Sequence, residues 1–347
     1  MRDRFGRGLA AVARDAAQSS SALVLVVIVA LTFVVGFVDS QFWSLATVFN
    51  VAHDSLETLV FALGFLLVLL TGGIDVSFDA VGIFAGYSVA LLAMHGFFDG
   101  DVGMAFVLAA LIGLALGAVN ALAVVGLRLP ALIATLGTRS IFTGVLLSFI
   151  GSNWINSLSG QLGGFADWQL VRVASGRASV GLHVLVIPAA ILCVVLALVL
   201  GRTMLGRGLY AVGGDAESAR RLGFPVGRLR ASALLMAGGL AGVAGMIHVS
   251  LISYANPYDL VGFELSPIAA VILGGASIVG GRGSITGTVL GAILISLINY
   301  SLVLLGAPTT WDEVLVGAFI LVGITAQLMR ERSASAPRAL VSSAAAE

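Results

Sequence analysis

The chain reads as a succession of long apolar runs separated by short polar segments. Runs of about 17–22 residues suffice to cross a bilayer as helices. Ten such runs fit: 22–38, 56–72, 78–94, 104–125, 131–150, 183–201, 231–251, 265–280, 285–305 and 312–328. Only a few residues separate the second run from the third and the eighth from the ninth. Glycine pairs stand at both places: Gly72-Gly73, then Gly274-Gly275 and Gly280-Gly281. Paired glycines within a span mark a broken or re-entrant helix, tolerated where protein or water covers the freed backbone. Both breaks fall at the inner end of an inward-running span, a hint of internal duplication. Gly283, Gly287 and Gly291 follow at four-residue spacing, which lets helices approach closely. The pattern predicts an all-α polytopic membrane protein of about ten transmembrane helices, some broken or re-entrant.

Composition supports the membrane reading. Of 347 residues, 59% are hydrophobic and 10% charged, where soluble domains carry about 25% charged residues. Mean hydropathy is +1.07. The net charge of zero argues against nucleic acid as a partner. Every basic residue is Arg, so the Lys that a P-loop places on phosphates is missing. A conventional nucleotide-hydrolysing subunit is thereby excluded. Cys193 is the single cysteine, and the four His lack metal-ligand spacing. No Ser–His pair, HExxH motif or facing catalytic acids suggest an intramembrane enzyme, and no metal site is expected.

Arginine sets the orientation. Arg2, Arg4, Arg7 and Arg14 precede the first run, and Arg128 follows the fourth. Arg202, Arg207, Arg220, Arg221, Arg228 and Arg230 lie between the sixth and seventh, Arg282 between the eighth and ninth, and Arg330, Arg332 and Arg338 after the tenth. Ten spans put all of these on one side, the cytoplasm, with both termini. Arg172 and Arg177 fall outside, and Arg139 falls within the fifth span. The outer loops instead hold Asp39, Asp54, Glu57, Asp99, Asp101, Asp167, Asp259, Glu264, Asp312 and Glu313, and all four Trp lie at that face. The expected organisation is a cytoplasmic segment 1–21, a membrane domain 22–328 and a cytoplasmic tail 329–347. The basic start and the apolar run after it read as a retained first span, because no small-residue cleavage site follows closely. The outer segment 151–182 is expected to hold a hairpin or short helix, contacted by a partner or serving as a plain connector.

The long inner loop 202–230 carries the clearest local signal. Gly213-Gly214 is expected to form a flexible turn. Asp215 suits an N-cap, with Glu217 in the first turn. The helix then runs from Ala216 through Ala219, Arg220 and Arg221 to Leu222, with Gly223 as its stop and Pro225 blocking continuation. So short a helix is unstable alone in water, which points to a docking partner; the other reading is an ordinary positive-inside connector. Within the spans, Asp75 is expected to cap a helix restarting at Val76, near water at the inner end, with Ser77 beside it and Asp79 deeper. Either acid serves as a gate or coupling site, or Asp75 is only a cap. Asn120, Thr135, Thr143, Ser296 and Asn299 are isolated polar residues that line a pathway or join helices.

Several motifs carry a resemblance: Thr71 to Ser77, Pro130 to Gly137, Gly206 to Asp215, Ala219 to Gly223, Glu264 to Gly275, and Gly280 to Ser284. In this order along nearly the whole chain, they resemble the permease subunits of bacterial ABC importers for simple sugars and autoinducer-2. Phe78-Asp79 departs from the family, which usually has a small residue near a Gly there. The resemblance implies a multi-pass protein of the bacterial cytoplasmic (inner) membrane, forming the pathway for a monosaccharide or similar small polar solute. It implies an external binding protein, a second permease subunit, identical or a sister chain, and two ATPase subunits carrying ATP and magnesium. No cofactor is implied on this chain. It also implies that 215–223 is the helix that couples to the ATPase. Branched-chain amino acid and nucleoside permeases are neighbouring alternatives. An ion-coupled secondary transporter with Asp75 or Asp79 as proton site is a more distant one.

Overall fold

A computed structural model describes residues 20–175, 178–260, 262–308 and 310–335. Arg177, most of the expected N-terminal segment (1–19) and most of the expected tail (336–347) lie outside the described residues. The helices are α1 (Ser20–Val38), α2 (Leu45–Leu70), α3 (Phe78–Met94), α4 (Val102–Ala121) and α5 (Ala131–Val145), then α6 (Val186–Arg202), α7 (Met204–Gly214), α8 (Ala216–Arg221) and α9 (Val226–Ile252). The last three are α10 (Leu265–Leu273), α11 (Ile285–Leu304) and α12 (Trp311–Ser335). A wide π turn extends α4 to Gly126 and another extends α5 to Ile150. The fold is that of an all-α polytopic membrane protein. Among the described residues, α2, extended α4, extended α5, α9 and α11 are each long and apolar enough to cross a membrane. The α6–α7 pair is bent by 71° at Thr203.

The helices divide into an inner and an outer set. Nearly every side chain of α2 from Leu59 to Leu70 is buried, and α9 is buried from Ala241 to Met246 apart from Val243. A helix that is apolar all round must be surrounded by protein or lipid, and these two are surrounded by protein. By contrast α1, α4, α5 and α6 display large apolar side chains outward, Phe37 at 83% and Phe149 at 84% exposure. That outer ring is what a lipid-facing shell requires. Small residues bring α9 against its neighbours. A Cβ on Gly245 would run into the Gly82 carbonyl of α3, and one on Gly238 into Gly113 of α4, so backbones meet there directly.

The outer segment holds both elements expected of it. A 3-10 stretch, Gly160–Asp167, precedes an antiparallel hairpin of β1 (Gln169–Ser175) and β2 (Ala178–His183). It is anchored rather than loose, because Leu162 and Phe165 are buried. His183 fixes the hairpin's base: its Nε2–H donates to the Phe165 carbonyl at 2.9 Å, and Nδ1 accepts from the Leu185 N–H at 3.2 Å. That pairing selects one neutral tautomer.

Two expectations about the inner loop and the eighth run are corrected. Gly213-Gly214 do not form a flexible turn; they close α7, an amphipathic helix hidden from a hydropathy reading by Arg207 and its glycines. The run 265–280 is helical only through Leu273, about 13 Å of rise, and so reaches less than halfway across a bilayer. Gly275, Gly280 and Gly281 then take φ of 93°, 100° and 71°, which L side chains avoid.

Candidate functional site

The two glycine breaks meet. The Gly281 N–H donates to the Leu70 carbonyl at 3.2 Å, and Gly280 abuts the Gly72 backbone. Gly213 at the end of α7 packs on the same Leu70 carbonyl, and the Tyr210 hydroxyl donates to the Gly283 carbonyl at 2.9 Å. Carbonyls and N–H groups freed by the breaks therefore find partners in each other, as a backbone within a membrane requires. Gly72 has φ 77°. Gly73 and Gly274 stand beside the positive-φ positions and complete the two breaks.

Between the first break and α3 the chain has no regular secondary structure over Gly73–Ser77, and its polar groups are stitched to α4 and α5. The Thr138 hydroxyl donates to Asn120 Oδ1 at 2.5 Å, and Asn120 Nδ2 donates to Ser77 Oγ at 2.7 Å. The Ser77 hydroxyl donates to Asp75 Oδ1 at 2.7 Å, and the Ser77 N–H donates to the same oxygen at 2.8 Å. Every donor in this relay points toward the carboxylate. Thr135 Oγ1 lies 3.3 Å from both the Ile74 carbonyl and the Val76 N–H, accepting from the latter. Asp75 and Ser77 are buried, at 3% and 0% exposure. The expected cap is thus corrected. The helix restarts at Phe78, not Val76, and Ser77 at its N-cap makes no side-chain cap bond. Asp75 organises its own loop, and hydrogen bonds rather than nearby water offset its burial. Asn120 and Thr135 are not isolated, and Thr138, passed over in the sequence, completes the relay. We expect Thr138→Val to leave Asn120 Oδ1 without a donor and to cost about 1–3 kcal/mol. Thermal unfolding of the detergent-solubilised variant measures this, and an unchanged midpoint would mean the relay is dispensable.

Asp79 forms a second centre. Arg139 Nη2 lies 2.6 Å from Asp79 Oδ2 and 3.0 Å from Glu264 Oε1. One guanidinium thus ties α3, α5 and the start of α10. Asp79 Oδ1 and Glu264 Oε2 are buried without hydrogen-bond partners, so Arg139 carries the electrostatic burden of both acids. Asp79 is as fully buried by protein as Asp75, both at 3% exposure. Glu264, expected in an outer loop, stands at the N-cap of the short α10, which brings it beside Arg139 of α5.

A third cluster was missed. His248 of α9 places Nδ1 3.0 Å from Glu57 Oε2 and Nε2 3.4 Å from Asp259 Oδ2. Asn256 Nδ2 braces Asp259 Oδ1 at 2.6 Å. The cluster lines a cleft of about 360 Å³ with Asp312 and Glu313. The available signal was a lone His inside an apolar span. Thr143, Ser296 and Asn299 join none of these clusters. Thr143 is half-buried, Ser296 is buried, and Asn299 Oδ1 is buried without a partner.

At the other end of the molecule, α8 follows the sequence reading closely. Asp215 accepts the Glu217 N–H at 3.0 Å and the Ser218 hydroxyl at 2.5 Å. The Ser218 hydroxyl, with the Ser218 and Glu217 N–H groups, holds the Asp215 carboxyl below the usual range. A depressed acid keeps its contribution above its unfolded pKa and loses it only as pH falls through the folded one, so this cap persists at neutral pH. Glu217 pairs with Arg220 at 2.9 Å and Arg221 at 3.5 Å. Ala219 is buried and anchors the helix, whereas Leu222 is 77% exposed. The helix ends at Arg221, one residue before the expected Leu222. Gly223 has φ 88°, and its N–H closes on the Arg220 carbonyl at 3.0 Å. A polar, capped, surface helix carrying an exposed leucine is followed by the chain that re-enters the bundle as α9. It is preceded by α7, whose end is pinned to both breaks.

Residues 47–324 match the family model described as branched-chain amino acid transport system / permease component. The chain belongs to this permease family. It is 33% identical over 301 residues to the autoinducer 2 import system permease protein LsrC of Yersinia enterocolitica, covering 86% of this chain and 80% of that protein. It is 36% identical over 297 residues to the LsrC of Enterobacter sp. strain 638, covering 86% and 83% respectively. No solved structure matches it. As a permease of this family, the chain joins its surface helix α8 to its broken spans through backbone contacts at Leu70, Gly213 and Gly281.

Proposed function

We propose that this chain is the membrane-spanning permease subunit of an ATP-binding cassette importer and forms the pathway for a monosaccharide or similar small polar solute. The observation that carries the reading is α8, a helix too short to persist alone, capped, exposed and backed by the junction of both breaks. An ATPase subunit gripping α8 would move α7, and α7 abuts the backbone that closes the two broken spans. ATP and magnesium belong to that partner. A binding protein on the opposite face delivers the solute, and a second permease subunit completes the pathway. In this reading the chain lies in the bacterial cytoplasmic membrane as a multi-pass protein with both ends inside. Arginines 128, 220 and 230 line one cavity, while acids 57, 259, 312 and 313 line another, a segregation in keeping with that orientation. The autoinducer-2 relatives favour a hydroxylated solute over a branched-chain amino acid.

A secondary transporter needs an acid free to exchange protons. Asp75 accepts two hydrogen bonds from Ser77 at Oδ1 and Asp79 is held by Arg139, which favours the ATP-driven reading. Proteoliposomes containing the chain with the ATPase and binding protein encoded beside it should take up labelled sugar only with ATP and both partners. Uptake by the purified chain alone, driven by an ion gradient, would overturn the proposal.

A further inference from the structure

A cavity of about 620 Å³ opens where the end of α2 and the first break meet the ends of α4, α5 and α9, and Arg128, Arg220 and Arg230 all line it. No acidic residue lines it. Arg220 shares its charge with Glu217, but among the described residues Arg128 and Arg230 have no ion-pair partner. Arg128 sits in left-handed backbone, φ 58°, rare for a residue with a side chain. The Leu127 N–H to the Leu122 carbonyl (2.9 Å) and the Leu129 N–H to the Ala123 carbonyl (3.3 Å) hold the turn there.

Two features distinguish the occupant. Two arginines without an ion-pair partner, Arg128 and Arg230, lining one cavity with Arg220, suit a phosphate, which accepts forked N–H pairs. In the same segments as its lining residues Val124, Val125, Arg128 and Ala131, the apolar side chains Leu122, Leu127 and Ile133 stand 65%, 67% and 64% exposed. The cavity lies between the apolar end of α4 and the polar α8, and in a bilayer spanned by α4 that step from apolar to polar would fall at the headgroups. A free phosphate would use the arginines and leave these apolar side chains bare, whereas an amphiphile would use both. We propose that this cavity is a binding site for the phosphate headgroup of an anionic phospholipid, with its acyl chains along Leu122, Leu127 and Ile133. The site requires only that the chain spans a membrane and is independent of what it transports. It places a lipid phosphate against Arg220 at the foot of α8, where it would stiffen the joint between α8 and α9.

Native mass spectrometry of the full-length chain, titrated with phosphatidylglycerol and separately with phosphatidylcholine, tests this. Wild type should retain phosphatidylglycerol preferentially. Arg128→Gln with Arg230→Gln should lower that retention about thirtyfold, and Arg128→Gln alone about fivefold. The surface position of Arg128 makes the single variant readable if the double one fails to fold. The Arg→Lys pair should keep most of the binding, and excess inorganic phosphate should leave the lipid in place. Equal retention by wild type and Arg128→Gln would overturn the site. Displacement of the lipid by inorganic phosphate would overturn the lipid assignment in favour of a free-phosphate site.

Discussion

Replacing Arg139 with Met is expected to lower the unfolding free energy by about 3 kcal/mol and to abolish uptake. The reason is asymmetry of charge. Asp79 and Glu264 are 5% and 20% exposed at the side chain, and among the described residues Arg139 is the one cation paired with both. Removing one member of a buried ion pair leaves a desolvated charge unmatched, which costs about 3–5 kcal/mol. Arg139 itself is 26% exposed, so the lower end applies. The cost falls on tertiary structure rather than on one helix, because α3, α5 and α10 separate when the guanidinium goes. The companion variant Arg139→Met/Asp79→Asn/Glu264→Gln removes all three charges and should recover most of the lost stability. Recovery of stability without uptake would assign the triad to transport; recovery of both would make it a structural clasp. Thermal unfolding in detergent together with vesicle uptake reads both. An Arg139→Met protein that unfolds and transports like wild type would show that the ion triad carries no energy.

Much of the architecture is legible in the apolar runs, since each run overlaps an observed helix. The failures have physical causes. A hydropathy window sees Ala269 to Val279 as continuous, yet the helix stops at Leu273 because the chain must pass through positive-φ glycines. The Glu264–Arg139 pair was not legible either, since the two residues lie on different helices 125 positions apart. Around Asp75, residue type was informative: Asp75, Ser77, Asn120 and Thr135 were all singled out as polar residues in costly places. What was not legible is that Ser77 and Asn120, 43 positions apart, are bonded. Pair contacts of that kind arise from packing, and one chain's sequence does not encode them locally. The cap at Asp215 was readable because its partners lie within three residues. Glu57, His248 and Asp259 failed for the opposite reason, since a His joined to Glu57 across 191 positions leaves no local spacing to recognise.

Gly223→Pro is expected to separate ATP hydrolysis from transport. At φ 88° the Gly223 backbone is closed to proline, whose ring fixes φ near −65°. Proline also removes the N–H that closes on the Arg220 carbonyl. The turn would have to open, and α8 would leave the orientation in which Asp215 caps it and Ala219 anchors it. Because α8 packs little elsewhere, the membrane core should fold normally, with an unchanged elution profile and unfolding midpoint. The ATPase subunits would still hydrolyse ATP at their basal rate, while solute moved per ATP hydrolysed should fall by tenfold or more. Gly223→Ala supplies the graded control. It keeps the N–H and pays only the left-handed backbone cost of about 1–2 kcal/mol, so its coupling ratio should lie between those of wild type and the proline variant. The two variants rank by backbone strain and by the N–H bond that only proline removes, since neither adds charge nor removes a side-chain contact. If both couple as well as wild type, α8 is not where the ATPase takes hold, and the short capped helix is a connector. If the proline variant instead fails to reach the membrane, the alanine variant still reads the same ratio, and a wild-type value there leads to the same conclusion.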